Sequence, residues 1–283
     1  MISKDKKILI VGLGLIGGSY AKGLSKEGYF VGAIDSNESS IKYGLDNNII
    51  KEGSFKVTEE FICKYDIIIF ALYPHIFVEW LTLYQNYIKS GAIITDVTGI
   101  KGWLIDKINN ILRDDLEYIG AHPMAGREVY GVENSDENIF YGANYIITPT
   151  KSSTENAINV AREIGIVLKF KNIVTLTVEE HDEMIGFLSQ LTHCIAISLM
   201  ACKESSHLVE YTGDSFRDLT RIAKINENMW SELFLLNKEE LLKQMDLFSE
   251  QFDKLKEYLK NENVAEMKEM MKLSTKRRKY FDK

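Results

Sequence analysis

The stretch GAHPMAGREVYG, residues 120–131, places a titratable ring in a stiff, glycine-rich setting. His122 is one of only five histidines and Pro123 one of only three prolines in the chain. Proline disfavours the helical conformation for the residue before it, so we expect His122 to lie extended at the tip of a strand. An imidazole titrates near neutrality and suits a group that takes a proton from an alcohol, which is the predicted role of His122. The alternative is an ordinary surface or core histidine.

A second group of polar residues lies further along, in HDEMIGFLSQLTHCIAISLM, residues 181–200. With a period of 3.6 residues, one helix face would carry Gly186, Ser189, Gln190 and His193. Polar side chains between apolar flanks predict a face that lines a ligand pocket, and a solvated stripe is the alternative. The later stretch SFRDLTRIAKINENMW carries Arg217 and Arg221, which form either an anion site or a surface ion-pair helix with nearby aspartates.

The N-terminal stretch ILIVGLGLIGGS has the GxGxxG spacing of a dinucleotide-binding turn. A predicted strand precedes it and a helix follows, so the glycines would allow a tight turn, an approach to pyrophosphate and close packing of the helix. Asp35 ends the next predicted strand, where an acidic residue binds the ribose hydroxyls, and neither Ser36 nor Asn37 offers a cation for a 2′-phosphate. We therefore predict NAD as the cofactor. The predicted cofactor-binding residues are Gly12, Leu13, Gly14, Leu15, Ile16, Gly17 and Asp35.

Two halves with different patterns position these residues. Up to about residue 173, short apolar runs alternate with helical stretches, which is typical of a parallel sheet covered by helices. The predicted strands are 7–11, 29–34, 66–71, 92–97, 117–121, 144–148 and 166–170. We predict an α/β fold: a Rossmann-type, mostly parallel sheet in residues 1–173, followed by an all-helical dimerisation domain in residues 174–283.

The predicted strands bring the candidate residues to one edge of the sheet. Gly12, Asp35, the stretch TDVTGIKG (95–102) and His122 each follow or end a different strand. Ligands of open α/β sheets bind beyond the carboxyl ends of the strands. Glycines on both sides of Glu128 would let the chain fold back and bring that carboxylate close to the same edge.

The helical half contains a heptad pattern over residues 238–260. Leu241, Met245, Phe248, Phe252, Leu255 and Leu259 follow one another at spacings of four and three. Such a seam is typical either of packing within a domain or of a helical dimer interface, and we predict a homodimer formed through these C-terminal helices.

Composition narrows the class of protein. Apolar residues make up 45% and charged residues 27% of the 283, with a net charge of -7, which argues against a nucleic-acid surface. The three cysteines lack metal-type spacing, and no metal site is predicted. No apolar run is long enough to span a bilayer, and the N-terminus does not resemble a signal peptide, so no membrane contact and a cytoplasmic location are expected.

Five blocks together resemble the prephenate dehydrogenase family: ILIVGLGLIGGS, TDVTGIKG, GAHPMAGREVYG, HDEMIGFLSQLTH and SFRDLTRIA. The resemblance implies NAD(P)-dependent oxidative decarboxylation of prephenate to 4-hydroxyphenylpyruvate in tyrosine biosynthesis. It also implies that His122 accepts the proton of the substrate's ring hydroxyl. By the same similarity, Arg221 would bind a carboxylate of the substrate, His193 and Ser189 would orient the ring, and Glu128 would influence access.

The chain departs from the family's pattern at three points, one of which is the turn TGDSF, where Asp214 is added near a site for anions. Gly99 stands where many members have a serine close to the histidine, so Thr98 or a water would have to supply that hydrogen bond. Gln190 replaces one histidine of a pair. Thr98, Gly99 and Gln190 are therefore predicted to lie at the substrate site with altered contacts.

Three other functions remain open from the sequence. The same fold could act on arogenate, which has an amine where prephenate has a keto group. A β-hydroxyacid-type dehydrogenase typically uses a catalytic lysine in the helical half. No block here resembles its lysine helix, although Lys203 is expected to lie on a helix. A non-catalytic NAD sensor would need the cofactor site but not His122, His193 and Arg221 together.

Overall fold

The protein is described here by a computed structural model, which covers residues 2–204 and 207–282. The described strands form one sheet of eight, in the order β3-β2-β1-β4-β5-β6-β7-β8. The strands are β1 (Lys7–Val11), β2 (Phe30–Ile34), β3 (Glu52–Ser54), β4 (Ile67–Phe70), β5 (Ile93–Asp96), β6 (Glu117–Pro123), β7 (Asn144–Thr148) and β8 (Asn172–Thr175).

All neighbouring strands run parallel except β6 and β7, which pair antiparallel. Alternate residues of β1 enter different cores: Ile8 and Ile10 pack on one face of the sheet, whereas Leu9 and Val11 pack on the other. Burial on both faces explains why these strands are continuous apolar runs. The first six strands have the order of a dinucleotide-binding Rossmann sheet, which confirms the predicted fold class.

The predicted strands differ from the observed ones at two places. The strand β3 was missed because three residues without an apolar run give no signal above the background. The strand expected at 166–170 is the end of a helix, and the chain pairs as β8 only from Asn172 onward. Lys169 has a positive φ of 62° there, which turns the chain between helix and strand.

The described residues form thirteen α-helices. They are α1 (Leu15–Lys26), α2 (Glu38–Asp46), α3 (Glu59–Ile62), α4 (Pro74–Tyr84), α5 (Gly102–Ile111), α6 (Glu155–Val167), α7 (Val178–Ile185), α8 (Leu191–Ala201), α9 (Leu208–Tyr211), α10 (Asp214–Thr220), α11 (Glu227–Leu236), α12 (Lys238–Lys260) and α13 (Val264–Arg278).

The chain forms two compact units, Met1–Asn237 and Lys238–Lys283. The second unit contains α12 and α13, and α12 covers the heptad stretch 238–260. The first unit includes the sheet together with α7 to α11. The predicted division at residues 173 and 174, which follows the change from mixed to helical sequence, stays a prediction.

One continuous helical stretch, Val178–Ala201, is long and apolar enough to cross a membrane by length and composition alone. It was not expected from the sequence, where no single apolar run is long enough. Only 28% of its most apolar window is buried in the single chain. Its exposed apolar side chains include Phe187, Leu188 and Met200, so this helix presents an apolar surface that residues 2–204 and 207–282 leave uncovered.

Candidate active site

The glycine turn after β1 has the geometry of a dinucleotide site. Gly12 has a φ of +96°, and a Cβ there would lie 2.4 Å from the carbonyl oxygen of Ala71, so only glycine fits where β1 and β4 diverge. A Cβ at Gly17 would lie 1.9 Å from the Gly12 carbonyl oxygen, which shows how closely α1 approaches the turn. A Cβ at Gly14, in contrast, would meet nothing within 4 Å. The backbone at Gly14 therefore faces open space, where a phosphate group fits.

The amino end of α1 lies at this opening. Gly14 is its N-cap and no side-chain hydrogen bond caps the helix, so the first-turn N–H groups at Leu15 and Ile16 are available to an anion. Leu13 contributes differently, because its side chain is buried in the core and its N–H donates to Asp35 Oδ2 at 2.6 Å. The turn and the open space above Gly14 fit the pyrophosphate of NAD.

Asp35 lies at the carboxyl end of β2, as predicted. Its Oδ1 accepts a hydrogen bond from the Asn37 N–H at 2.7 Å, and its Oδ2 accepts the bond from Leu13. These two bonds fix the carboxylate beside the glycine turn. Each oxygen keeps a further lone pair for a ribose hydroxyl.

His122 lies in β6, one residue before the strand ends, as expected from the proline that follows it. Its ring is next to Gly99 in the loop after β5: a Cβ built on Gly99 would lie 3.7 Å from His122 Nε2 and 3.8 Å from Leu233 Cδ1. A serine at this position would thus hold its hydroxyl near Nε2. With glycine, the space beside Nε2 is left to a substrate or a water.

The loop after β5 is fixed by a buried network around Asp96. Lys101 Nζ lies 2.7 Å from Asp96 Oδ2, and both side chains are fully buried. Tyr118 donates its hydroxyl to Asp96 Oδ1 at 2.7 Å, and Thr98 donates its hydroxyl to Asp96 Oδ2. The Thr98 oxygen also accepts a bond from Lys101 Nζ at 3.0 Å. Thr98 therefore helps to hold the loop that carries Gly99, and its contact with substrate stays a prediction.

Two residues to which the sequence analysis gave no role, His181 and Asp182, continue from the ring of His122. His122 Nδ1 lies 2.9 Å from His181 Nε2, and His181 Nδ1 lies 2.7 Å from Asp182 Oδ1. Asp182 also accepts bonds from the N–H groups of Lys101 at 2.9 Å and Gly102 at 2.7 Å. These N–H groups begin α5, whose positive end favours a carboxylate.

His122, His181 and Asp182 thus form a hydrogen-bonded row, and the pKa values of all three groups are shifted. Burial, together with His181 and Lys101, lowers the pKa of His122 well below its usual value. Burial also lowers the pKa of His181, against the opposing effect of Asp182. Burial alone would raise the pKa of Asp182, but the bonds from His181 and the two N–H groups outweigh it and lower that pKa. At neutral pH the row is therefore two neutral rings and a carboxylate.

The helix that carries the second polar group is not a regular α-helix. Between α7 and α8, residues Gly186–Gln190 form a π-helical turn, a feature common near functional sites. This turn changes the phase of the helix, which a 3.6-residue period does not anticipate. Gly186 and Gln190 are buried, whereas Ser189 and His193 are partly exposed.

Gln190 uses its amide within the protein. Its Nε2 donates to the Leu233 carbonyl at 3.0 Å, and its Oε1 accepts a bond from Asn237 at 2.8 Å. Asn237 also donates to the Asp182 carbonyl at 3.0 Å. Gln190 thus ties α7 and α8 to α11, and its predicted contact with substrate stays a prediction.

His193 is oriented by two neighbours. Its Nδ1 lies 2.9 Å from the Ser189 carbonyl oxygen, which can only accept, so Nδ1 carries a proton and Nε2 is directed elsewhere. Its ring lies 3.7 Å from the ring of Trp230, centroid to centroid, at an interplanar angle of 32°. Burial lowers the pKa of His193, and the charges of Glu128 and Arg221 act on it as well. Trp230 was not singled out from the sequence, although it ends the block that contains Arg221.

Arg221 and Glu128 form an ion pair between Arg221 Nη1 and Glu128 Oε1. Glu128 comes from the loop after β6, where Gly131 has a φ of +87° and lets the chain fold back. Both side chains are substantially exposed, at 65% for Arg221 and 38% for Glu128. The predicted alternative, a surface ion-pair helix, holds instead for Arg217, which pairs with Asp214 at 3.2 Å.

Three further kinds of reactive group bear on the chemistry of the described residues: metal ligands, cysteine thiols and a lysine. No group of three or more metal-ligating side chains is found among residues 2–204 and 207–282. The three cysteines are free thiols. The expectation that Lys203 lies on a helix was wrong, because Lys203 follows the end of α8 and is exposed.

A Rossmann sheet with a glycine turn, an acidic residue after β2 and a histidine at the carboxyl edge defines a dinucleotide-dependent dehydrogenase. Two family models match the chain: the nucleotide-binding domain of prephenate dehydrogenase over residues 20–174, and the dimerization domain of prephenate dehydrogenase over residues 177–273. The chain belongs to the prephenate dehydrogenase family.

Individual relatives agree with this assignment. Prephenate dehydrogenase of Bacillus subtilis (strain 168) is 29% identical over 269 residues, which cover 92% of this chain and 72% of that protein. The crystal structure of prephenate dehydrogenase from A. aeolicus, in complex with hydroxyphenyl propionate and NAD+, is 31% identical with a TM-score of 0.90, and all of both chains is covered. Arogenate dehydrogenase of Synechocystis shares the fold, with a TM-score of 0.83, 23% identity and coverage of 97% and 99%.

Proposed function

We propose that this protein catalyses the NAD-dependent oxidative decarboxylation of prephenate to 4-hydroxyphenylpyruvate, a step of tyrosine biosynthesis. The family, the prephenate dehydrogenases among its relatives and the glycine turn that fits NAD support this proposal. When bound, NAD supplies the acceptor for the hydride that leaves the carbinol carbon of the substrate.

The position of His122 Nε2 carries the proposal. It faces the space beside Gly99 at the carboxyl edge of the sheet, while the other ring nitrogen is already bonded to His181. A hydroxyl group placed in that space donates to Nε2, and its proton moves to the ring as the hydride departs. Aromatisation of the ring on loss of CO2 provides the driving force, so the protein mainly has to position the substrate.

Arg221 supplies the charge for a dianionic substrate. A guanidinium binds a carboxylate through two parallel hydrogen bonds. His193 and Trp230 offer a flat apolar surface and a ring nitrogen close to it. Ser189 and Glu128 border the same region through their links to His193 and Arg221.

An assay of NADH formation tests the function directly. The purified protein is given prephenate or arogenate with NAD or NADP, and the absorbance of the reduced cofactor is followed. We expect turnover with prephenate and NAD. Preference for arogenate would make the protein an arogenate dehydrogenase, and absence of turnover with either, despite NAD binding, would favour a sensor.

The substitution His122→Asn tests the residue on which the reaction depends. We expect kcat to fall by about 10²- to 10⁴-fold, the usual range for loss of an acid–base group, with KM little changed. The variant His75→Gln is a suitable control because His75 lies on α4, paired with Glu232. Full activity of the His122 variant would remove this ring from the mechanism.

We further propose a cytoplasmic homodimer that binds neither nucleic acid nor membrane. The matched dimerization domain supports the dimer, as do the exposed apolar side chains of Val178–Ala201. The free thiols suit a reducing compartment. The net charge of -7 gives no support to a nucleic-acid surface.

A further inference from the structure

Three buried or partly buried side chains form a row that leads away from the substrate side of His122. The row runs from His122 Nδ1 to His181 Nε2 at 2.9 Å, and from His181 Nδ1 to Asp182 Oδ1 at 2.7 Å. The side chain of His181 is fully buried. The proposed function assigns no role to this buried imidazole, which lies between a base and a carboxylate.

The row fixes which nitrogen of each ring carries a proton. The Asp182 carboxylate only accepts, so the proton between it and His181 is on His181 Nδ1. Neutral His181 then accepts at Nε2, and the proton between the two rings is on His122 Nδ1. His122 is left with a bare Nε2, the nitrogen that faces Gly99.

We propose that His181 sets the tautomer of His122 and receives a proton from it during turnover, so that the hydroxyl proton of the substrate is held on a buried histidine pair beside Asp182. His181 is a positioning residue in this scheme, because it acts through His122. The proton transfer rests on the proposed function, because that function supplies the substrate hydroxyl. The tautomer of His122 does not depend on the proposed function.

The proton balance of the reaction agrees with a buried row. The hydroxyl proton passes to His122 Nε2, the Nδ1 proton of His122 passes to His181 Nε2, and the hydride departs to NAD. The bond to the leaving carboxylate then breaks, and its electrons make the ring aromatic and leave a phenolate oxygen. That oxygen takes the proton back as both transfers reverse. Prephenate dianion and NAD+ give 4-hydroxyphenylpyruvate monoanion, CO2 and NADH without net release of a proton, so the row needs no exit to solvent.

The electrostatics explain why a second ring is useful. Burial lowers the pKa of His122, which makes that ring alone a weak base. Transfer to His181 moves the positive charge into direct contact with the Asp182 carboxylate. The other charged groups that act on the rings are Lys101 and Asp96, which are paired with each other at 2.7 Å.

The tautomer is measured without any substrate. Long-range ¹H–¹⁵N correlation spectra of the ¹⁵N-histidine-labelled enzyme at neutral pH report the protonation of each ring nitrogen. The variants His122→Asn and His181→Gln assign the signals. We expect a protonated Nδ1 and a bare Nε2 for His122, and a proton on His122 Nε2 in the free enzyme would overturn the proposal whatever the substrate is.

The variant His181→Gln separates the two tasks of His181. The glutamine oxygen still accepts from His122 Nδ1 and keeps the tautomer, but it cannot take up the proton. We expect kcat to fall about 10- to 100-fold with KM unchanged, part of the range for an acid–base group. The control His75→Gln should match the wild type in kinetics and in the signals of His122 and His181, and should lose only the signals of His75.

A proton inventory distinguishes relay from simple support. Hydride transfer in a single turnover is followed in mixtures of H2O and D2O. We expect a curved dependence on the deuterium fraction in the wild type, from two protons in motion, and a linear one in His181→Gln. A linear wild-type plot, or an unchanged kcat in the variant, would overturn the relay. Absence of any turnover with prephenate would refute the proposed function and leave the tautomer result standing.

Discussion

At the scale of single residues, the exposed ion pair of Arg221 and Glu128 bears on the proposed binding of substrate by Arg221. An ion pair between exposed side chains stabilises a protein by only about 0–1 kcal/mol. Both partners here are in contact with water. If Arg221 binds a substrate carboxylate as proposed, that carboxylate would displace Glu128 from the guanidinium at little cost.

Replacement of Arg221 tests this assignment. In Arg221→Ala we expect KM for the dianionic substrate to rise about 10- to 100-fold with a smaller change in kcat, because hydrogen bonds to charged groups contribute about 1.5–3 kcal/mol. Steady-state kinetics measure both constants. Arg217→Ala is the matched control, since Arg217 pairs with Asp214 at a neighbouring exposed position. Equal KM values for the two variants would contradict a substrate role for Arg221.

The position of a residue could be predicted from the sequence where it depends on the residues adjacent to it in the chain. Pro123 and the preceding strand were enough to predict that His122 lies extended at the strand tip. The contact of His122 with His181 joins residues 59 positions apart, and no local spacing reveals it. Trp230 was missed for the same reason, because its stacking on His193 depends on how two helices pack.

At the scale of elements, the glycine turn and α1 form one unit with two different steric requirements. Gly17 has no room for a side chain, since a Cβ would overlap the Gly12 carbonyl oxygen. Gly14 has room, but the room is where a phosphate would approach the helix terminus. We therefore expect the two glycines to be needed for different reasons, Gly17 for packing and Gly14 for the ligand.

Alanine substitutions separate these reasons. We expect Gly17→Ala to lower the free energy of unfolding by about 1–3 kcal/mol, as overpacking does, because α1 has to move away from the turn. Gly14→Ala should leave that free energy nearly unchanged and weaken NAD binding. Urea unfolding and calorimetric titration with NAD measure the two effects. A Gly14→Ala variant with unchanged NAD affinity would mean that phosphate does not approach at this point.

Strands and helices could be predicted from the sequence where a single pattern of apolar residues extends over the whole element. The buried strands β1, β4 and β5 follow from continuous apolar runs, and the heptad stretch lies within a single helix, α12. The end of α6 was misread because Ile166 and Val167 favour a strand locally, whereas the preceding helix continues through them. The π-helical turn at Gly186–Gln190 shifted Gln190 into the interior, and a fixed period cannot anticipate such an insertion.

At the scale of the whole molecule, the buried histidines make stability depend on pH. The pKa values of His122 and His181 are lowered in the folded state. Above a pH of about 6.5, the usual histidine pKa, both states hold these rings neutral. Below it the unfolded chain binds protons that the folded chain does not, so folding becomes less favourable as the pH falls.

We therefore expect the free energy of unfolding to decrease by up to about 1.4 kcal/mol per pH unit for each of the two rings, from a pH of about 6.5 down to their folded-state pKa values. Urea unfolding between pH 7.5 and pH 5.5 measures the slope. His181→Gln should reduce the slope, and His75→Gln should leave it closer to that of the wild type. An equal slope in all three proteins would show that the buried rings do not control acid stability.

The heptad seam of α12 provides the test of assembly. Phe252 is 61% exposed in the single chain, and burial of such a side chain against a partner is worth about 1.5–3 kcal/mol. In a twofold dimer the change occurs twice, once in each copy. We expect Phe252→Glu to shift sedimentation velocity from dimer to monomer at micromolar concentration. Gln251→Glu adds the same charge at the next exposed position and should remain dimeric; monomerisation by both variants, or by neither, would show that this seam is not the dimer contact.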